Sequence, residues 1–178
     1  MLSYQKETRK TVDEIYHLLK QKLHINVWMD KQGGITNSVT RDMAHAVENA
    51  ICICCFITPK YQESKNCESE LSYALSRGVP VIPIYMAEKG WKPSSWLGFK
   101  IHDLLHLNFR DTNETNISEK FQELVDKIYA VVPDYDLQAA IAEEGGDGYY
   151  YGDDGAYSEG EGSNVDGENN DEEGDDEE

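Results

Sequence analysis

No lysine or arginine follows Lys127 in this chain of 178 residues. Of its 34 acidic residues, 18 lie from Asp134 onward, while residues 1–133 hold the other 16 against all 16 basic residues. The formal net charge of −18 therefore belongs to the C-terminal part, and the front part is balanced. A balanced domain followed by an acidic stretch lacks the basic footprint that a phosphate backbone requires, which argues against nucleic acid as a partner. Long apolar runs are missing as well. The longest, Ile51–Ile57, falls far short of the ~20 residues that a membrane-spanning helix needs. The first twenty residues carry Lys6, Glu7, Arg9, Lys10, Asp13 and Glu14 with no apolar stretch, so they do not read as a secretory signal. The expected setting is cytoplasmic.

Cysteine is scarce, with four in the chain. Cys52 and Cys55 form a C-x-x-C pair inside an apolar run that reads as a strand. On a strand, residues three apart point to opposite faces, so the two thiols cannot share a metal or close a disulfide there. They read as buried free thiols, with Cys54 beside them and Cys67 opening a later helix. His102 and His106 have i, i+4 spacing, but Phe99–Phe109 reads as loop and strand and no third ligand follows. No metal site is assigned. Gly33-Gly34 lacks the Lys-Ser/Thr of a phosphate-binding loop.

The last stretch, residues 145–178, is built mostly of Gly, Asp, Glu, Asn, Ser and Tyr, with Val165 its only aliphatic residue larger than alanine. Such a composition buries too little apolar surface to offset the entropy of ordering. The expected organisation is one domain over residues 1–133 and a disordered acidic tail over 134–178. Tyr149, Tyr150, Tyr151 and Tyr157 read as aromatic residues of a solvated linker.

Residues 1–133 alternate strand and helix. Met1–Tyr4 reads as the end of a strand. Val12, Ile15, Leu19 and Leu23 recur at helical spacing and predict a helix over Lys6–Leu23. Ile25–Met29 reads as a short strand and Asp30–Asn37 as a loop in which Gly33-Gly34 allows unusual backbone angles. Ser38 reads as the N-cap of a helix whose apolar face holds Val39, Met43, Ala46 and Val47. Ile51–Thr58 is apolar on both faces, the pattern of a central parallel strand. Asn66–Arg77 reads as a helix closed by Gly78. Val79–Tyr85 follows as a strand whose Pro80 and Pro83 argue for an outer position. Trp91–Phe99 reads as irregular, Leu104–Phe109 as a last strand and Ile117–Val132 as a closing amphipathic helix. The fold class is α/β: a flavodoxin-like, doubly wound, mostly parallel five-stranded sheet with helices on both faces. Ligands of such sheets bind beyond the C-terminal strand ends, where Asp30 and its glycine loop fall.

Within the helix Asn66–Arg77, Cys67, Leu71, Ala74 and Leu75 form an apolar stripe with Glu70 at its margin, while Glu68, Ser72 and Ser76 face away. Glu70 is thus the acid of this helix expected to be partly desolvated. Two readings stay open: a functional carboxylate, or a boundary glutamate whose stem packs and whose head reaches water.

In order and spacing these segments resemble the Toll/interleukin-1 receptor (TIR) domain family, of the animal cytoplasmic type. Leu2-Ser3-Tyr4 is similar to the end of its first box. Val27-Trp28-Met29-Asp30 with Gly33-Gly34-Ile35 resembles its second strand and BB loop. Met43-Ala44-x-Ala46-Val47-Glu48-x-Ala50, the Ile51–Thr58 strand with Pro59 and Tyr61, and Asn66-Cys67-x-x-Glu70-Leu71-x-x-Ala74 with Gly78 and Pro83-Ile84 continue the likeness over residues 1–132. The chain departs from the family at Gly33-Gly34, where receptors carry Pro-Gly, and at Trp96-Leu97-Gly98-Phe99, which lacks the Phe-Trp pair of the third box. Compared with the family, the first strand is expected to be truncated.

The resemblance implies two activities. One is signal transduction, including innate immunity, through homotypic TIR–TIR association, with Asp30, Gln32, Gly33, Gly34 and Ile35 as the interaction loop and a homo-oligomer as the active form. The other is hydrolysis of NAD+ as a substrate, with no cofactor required, releasing nicotinamide. Family hydrolases use a glutamate on this helix, and Glu70 occupies the position. Tyr4, Gln5 and Lys6 stand where relatives contact the nucleotide. Asn66 replaces a tryptophan found in one animal relative; Trp91 or Trp96 is a candidate substitute for stacking, and both read first as core or edge aromatics. A response-regulator reading fails because Ser3-Tyr4-Gln5 supplies no acids after the first strand.

Overall fold

The structure, a computed structural model, describes residues 1–30 and 37–133, the side chains of 37–40 excepted. The chain divides into two units, Met1–Gly146 and Asp147–Glu178, and every described residue lies in the first. The expectation of a disordered tail falls outside the described residues.

Parallel pairing joins β1 (Leu2–Ser3), β2 (Ile53–Ile57), β3 (Val81–Tyr85) and β4 (Leu107–Asn108) in that order. The described sheet thus has four strands, where five were expected. The missing one is Ile25–Met29, reduced to a single parallel bridge between Met29 and Leu2, with Leu2 N–H donating to the Trp28 carbonyl at 2.8 Å. The two paired residues of β1 offer it almost no ladder. The bridge still places this segment next to β1, which gives the 2-1-3-4-5 order of doubly wound sheets.

Both faces of the sheet are covered. On one lie α1 (Arg9–Leu23), preceded by a 3₁₀ turn at Lys6–Thr8, and α6 (Ile117–Val131). Val12, Ile15, Leu19, Phe121, Leu124, Val125 and Ile128 pack there with Cys52, Cys54, Phe56, Ile82 and Ile84. On the other lie α2 (Asn37–Glu48), α4 (Lys65–Ser76) and α5 (Ser95–Ile101), with Val47, Leu71, Ala74, Leu97 and Ile101 against Ile53, Cys55, Ile57 and Val81. A short α3 (Pro59–Glu63) links β2 to α4. The alternation along β2 sends Cys52 and Cys55 into opposite cores, and all four cysteines are buried and free.

Several local expectations are corrected. Pro83 does not push β3 to the edge: β3 lies between β2 and β4. Met86 N–H donates to Ile57 on the β2 side, so alternation turns the Pro83 nitrogen toward β4. That neighbour pairs only opposite Ile84 and Tyr85, so no ladder bond is lost. The last strand is accordingly two residues long, not six. Helix α2 begins at Asn37, which puts Ser38 in its first turn and not at its cap. The aromatic segment expected to be irregular contains α5. Helix α4 closes as expected through Gly78 at φ +72°, in a Schellman arrangement with Gly78 N–H on the Leu75 carbonyl and Val79 N–H on that of Ala74.

Gly98 sits inside α5, where alanine normally favours a helix by about 1 kcal/mol. A Cβ there would meet the Pro93 carbonyl oxygen at 2.8 Å, a backbone atom that cannot swing aside. Gly98→Ala is therefore expected to destabilise by roughly 1–3 kcal/mol, seen as a lower urea midpoint. An unchanged or higher midpoint would show that the Pro93 turn yields freely.

Candidate functional site

The Ser64 hydroxyl accepts from Cys67 N–H at 3.3 Å and starts α4. Two turns of that helix turn Cys67, Glu70, Leu71 and Ala74 toward the sheet, while Leu75 is 36% exposed. The buried stripe is therefore rotated from the expected one: Glu70 is inside it, 9% exposed, and Leu75 is not. Glu70 is the one carboxylate buried among the described residues.

What receives Glu70 is the end of β1. Ser3 Oγ donates to Glu70 Oε2, and the same oxygen lies 2.9 Å from the hydroxyl of Tyr61 on α3. A serine has one hydroxyl proton, so while Ser3 donates to Glu70 the Tyr61 hydroxyl is the donor to Ser3. All three groups are buried. Burial pushes the Glu70 carboxyl up to about 7; the Ser3 hydrogen bond pulls it down, and the charge of Asp30 adds to the rise. Burial also holds the Tyr61 phenol well above its usual value.

Around this carboxyl the chain shapes a cavity of about 220 Å³. Tyr4, Gln5 and Lys6 line it from the β1–α1 connection, Asp30 from across the sheet end, and Asn66 and Cys67 from the start of α4. Tyr4 donates its hydroxyl to the Asp30 carbonyl at 2.7 Å, and Gln5 Nε2 donates to Cys67 Sγ at 3.2 Å. Burial raises the Cys67 thiol, so it is not poised as a nucleophile. Lys6 and Arg9, both exposed, also line it, with Arg9 Nε 3.5 Å from Asp13 Oδ2. Glu70, Tyr4, Gln5, Lys6 and Asp30 are thus brought together. Gln32, Gly33, Gly34 and Ile35 lie outside the described residues. Trp91 and Trp96 stand elsewhere, packed on the α2/α4/α5 core, with Trp96 Nε1 donating to the Gln62 carbonyl at 2.8 Å. Neither supplies an aromatic wall to this cavity.

Ser3, Tyr61 and Arg9 were missed as members of the site. Ser3 carried a signal, being a polar residue closing an apolar strand. Tyr61 carried none, since its position 58 residues away follows only from the tertiary fold.

The order of strands, the position of the cavity at their C-terminal ends and the carboxylate of α4 describe a particular domain. A family model described as the TIR domain matches residues 1–125. The chain belongs to the TIR domain family. The crystal structure of the TIR domain of a Toll-related receptor, TRR-2, from the lower metazoan Hydra magnipapillata is similar in fold. It has 18% identity and a TM-score of 0.51 over 71% of this chain and 94% of that one. No curated protein matches the chain. Among the described residues of this TIR domain no helix is long and apolar enough to cross a membrane.

Proposed function

We propose that this chain is a signalling module that works by TIR–TIR association, and that association completes an NAD+-cleaving site on Glu70. Membership of the family over residues 1–125 supports the first part. The second rests on one observation: the one buried carboxyl among the described residues, with its pKa pushed up to about 7, facing a cavity at the sheet's C-terminal end.

The chemistry suits that group. Breaking the nicotinamide–ribose bond sends the bonding electrons to the nicotinamide ring and leaves positive charge on the ribose. An ionised Glu70 in a site shielded from water stabilises that charge, and water then adds at the same carbon and gives up a proton. The cavity of about 220 Å³ is below the roughly 300–1,000 Å³ of sites that enclose a whole ligand. It takes the reacting end of a dinucleotide, with Lys6 and Arg9 of its lining as cations for the diphosphate. A neighbouring copy is required to enclose the rest, which ties activity to assembly.

The test is nicotinamide release from NAD+ by the full chain over a range of protein concentrations, beside Glu70→Ala. Release rising more steeply than protein concentration, and at least 100-fold lower in the variant, is expected. Absence of release while both proteins still self-associate would leave the association part standing and return Glu70 to a structural role.

A further inference from the structure

A second cavity, of about 420 Å³, opens beyond the C-terminal end of β3, between the β3–α5 connection and the α5–β4 connection, with Arg110 beyond β4 closing one side. Its charge is one-sided. Lys89, Lys92 and Arg110 line it as cations beside the imidazoles of His102 and His106, and no aspartate or glutamate does. Glu88, Asp103 and Asp111 adjoin lining residues in sequence but do not themselves line the cavity. Lys89 and Lys92 are exposed and make no ion pair among the described residues. Arg110 is held from behind: its guanidinium lies 5.0 Å over the Tyr85 ring and Nη1 bonds Asn108 Oδ1 at 3.3 Å. Its Nε is buried with no hydrogen-bond partner, a condition rare in folded proteins.

Two exposed apolar side chains adjoin lining residues of the same cavity, with exposed Asp103 between them in sequence. Phe99 is 80% exposed and stacks on the lining residue His102, with ring centroids 6.3 Å apart. Leu105 is 77% exposed and stands between the lining residues Leu104 and His106. These are by far the most exposed large apolar side chains among the described residues, and they adjoin one cationic cavity. Its inner wall adds Trp91 and Ile101.

We infer that this cavity, with the adjoining Phe99 and Leu105, docks a short acidic segment of a partner protein, one carrying an aromatic or aliphatic residue among its carboxylates. The cations answer the carboxylates, and the apolar residue covers those two exposed side chains. A small anion would leave Phe99 and Leu105 in water. The net charge of −18 opposes a nucleic acid and an acidic peptide alike, and the peptide's apolar residue, which buries Phe99 and Leu105, is what favours it. The site is separate from the Glu70 cavity and does not depend on the enzymatic reading.

The test uses the full chain and a fluorescent blocked peptide, Glu-Asp-Phe-Glu-Asp, read by anisotropy. Controls are the same peptide with Gln and Asn for the acids, one with Ser for Phe, inorganic pyrophosphate, and a single-stranded oligonucleotide. Binding should fall at least tenfold for either altered peptide. It should fall at least tenfold in Lys89→Glu/Lys92→Glu, whose side chains are exposed and leave the fold intact, and severalfold in Phe99→Ser. Equal binding of the amide peptide, or no loss in the charge-reversal variant, overturns the proposal. So does displacement by pyrophosphate at equal charge, which would leave a simple anion site, or tighter binding of the oligonucleotide.

Discussion

Glu70→Gln is expected to raise the stability of the domain at pH 8 by about 3 kcal/mol and to leave it near that of the parent at pH 4. The sign follows from where the carboxyl titrates. Folded, Glu70 holds its proton up to about 7; in the unfolded chain it releases it near 4.5. Between those values the folded state binds more protons, so stability falls as pH rises. Below 4.5 both states are protonated and no penalty exists. Above 7 both are ionised and the penalty is complete, roughly 3 kcal/mol for that separation. Glutamine accepts from Ser3 as the carboxyl does but never carries the charge. Urea unfolding of the two proteins at pH 4, 6 and 8 would show midpoints that diverge upward in pH. Parallel midpoints at all three would mean that Glu70 ionises as easily folded as unfolded. On the proposed reading, in which nicotinamide release uses the ionised form, release is expected to rise across the same window.

The second large effect concerns β2. Phe56 and Ile57 are neighbours, both fully buried, and they face different cores. Phe56→Ala is expected to cost about 3–5 kcal/mol and Ile57→Ala about 2–5 kcal/mol. Either is a large fraction of a domain stability of roughly 5–15 kcal/mol. Each loss falls in a different core, so the double variant should be unfolded or close to it. Thermal unfolding followed by far-UV circular dichroism would report this. Tolerance of one substitution at under ~1 kcal/mol would mean that one face of the sheet is open to water, contrary to the two-sided packing.

That two-sided packing was legible in the sequence because Ile51–Thr58 has no polar residue on either face before Thr58. The helix at Val12, Ile15 and Leu19 was legible for the same kind of reason, a period matched to one buried face. What escaped is what neighbours decide. Ile25–Met29 has the composition of a strand, but its pairing depends on β1, which offers two residues. Pro83 looked like an edge residue because a sequence does not say which side its nitrogen faces. The position of Glu70 at the margin of a stripe was correct to within part of a turn. That part of a turn separates a half-solvated acid from one sealed against Ser3 and Tyr61, and it is set by contacts 67 and 58 residues apart in the chain.

The trio Tyr61, Ser3 and Glu70 has a directional consequence. With Glu70 ionised, its hydroxyls point one after another toward the carboxylate. A protonated Glu70 becomes a donor itself, so Ser3 can turn its hydrogen to Tyr61. One proton gained or lost on α4 is thus able to reverse the polarity of two hydrogen bonds that run through the first strand to α3. The carboxyl and the wall behind it are coupled without any backbone movement.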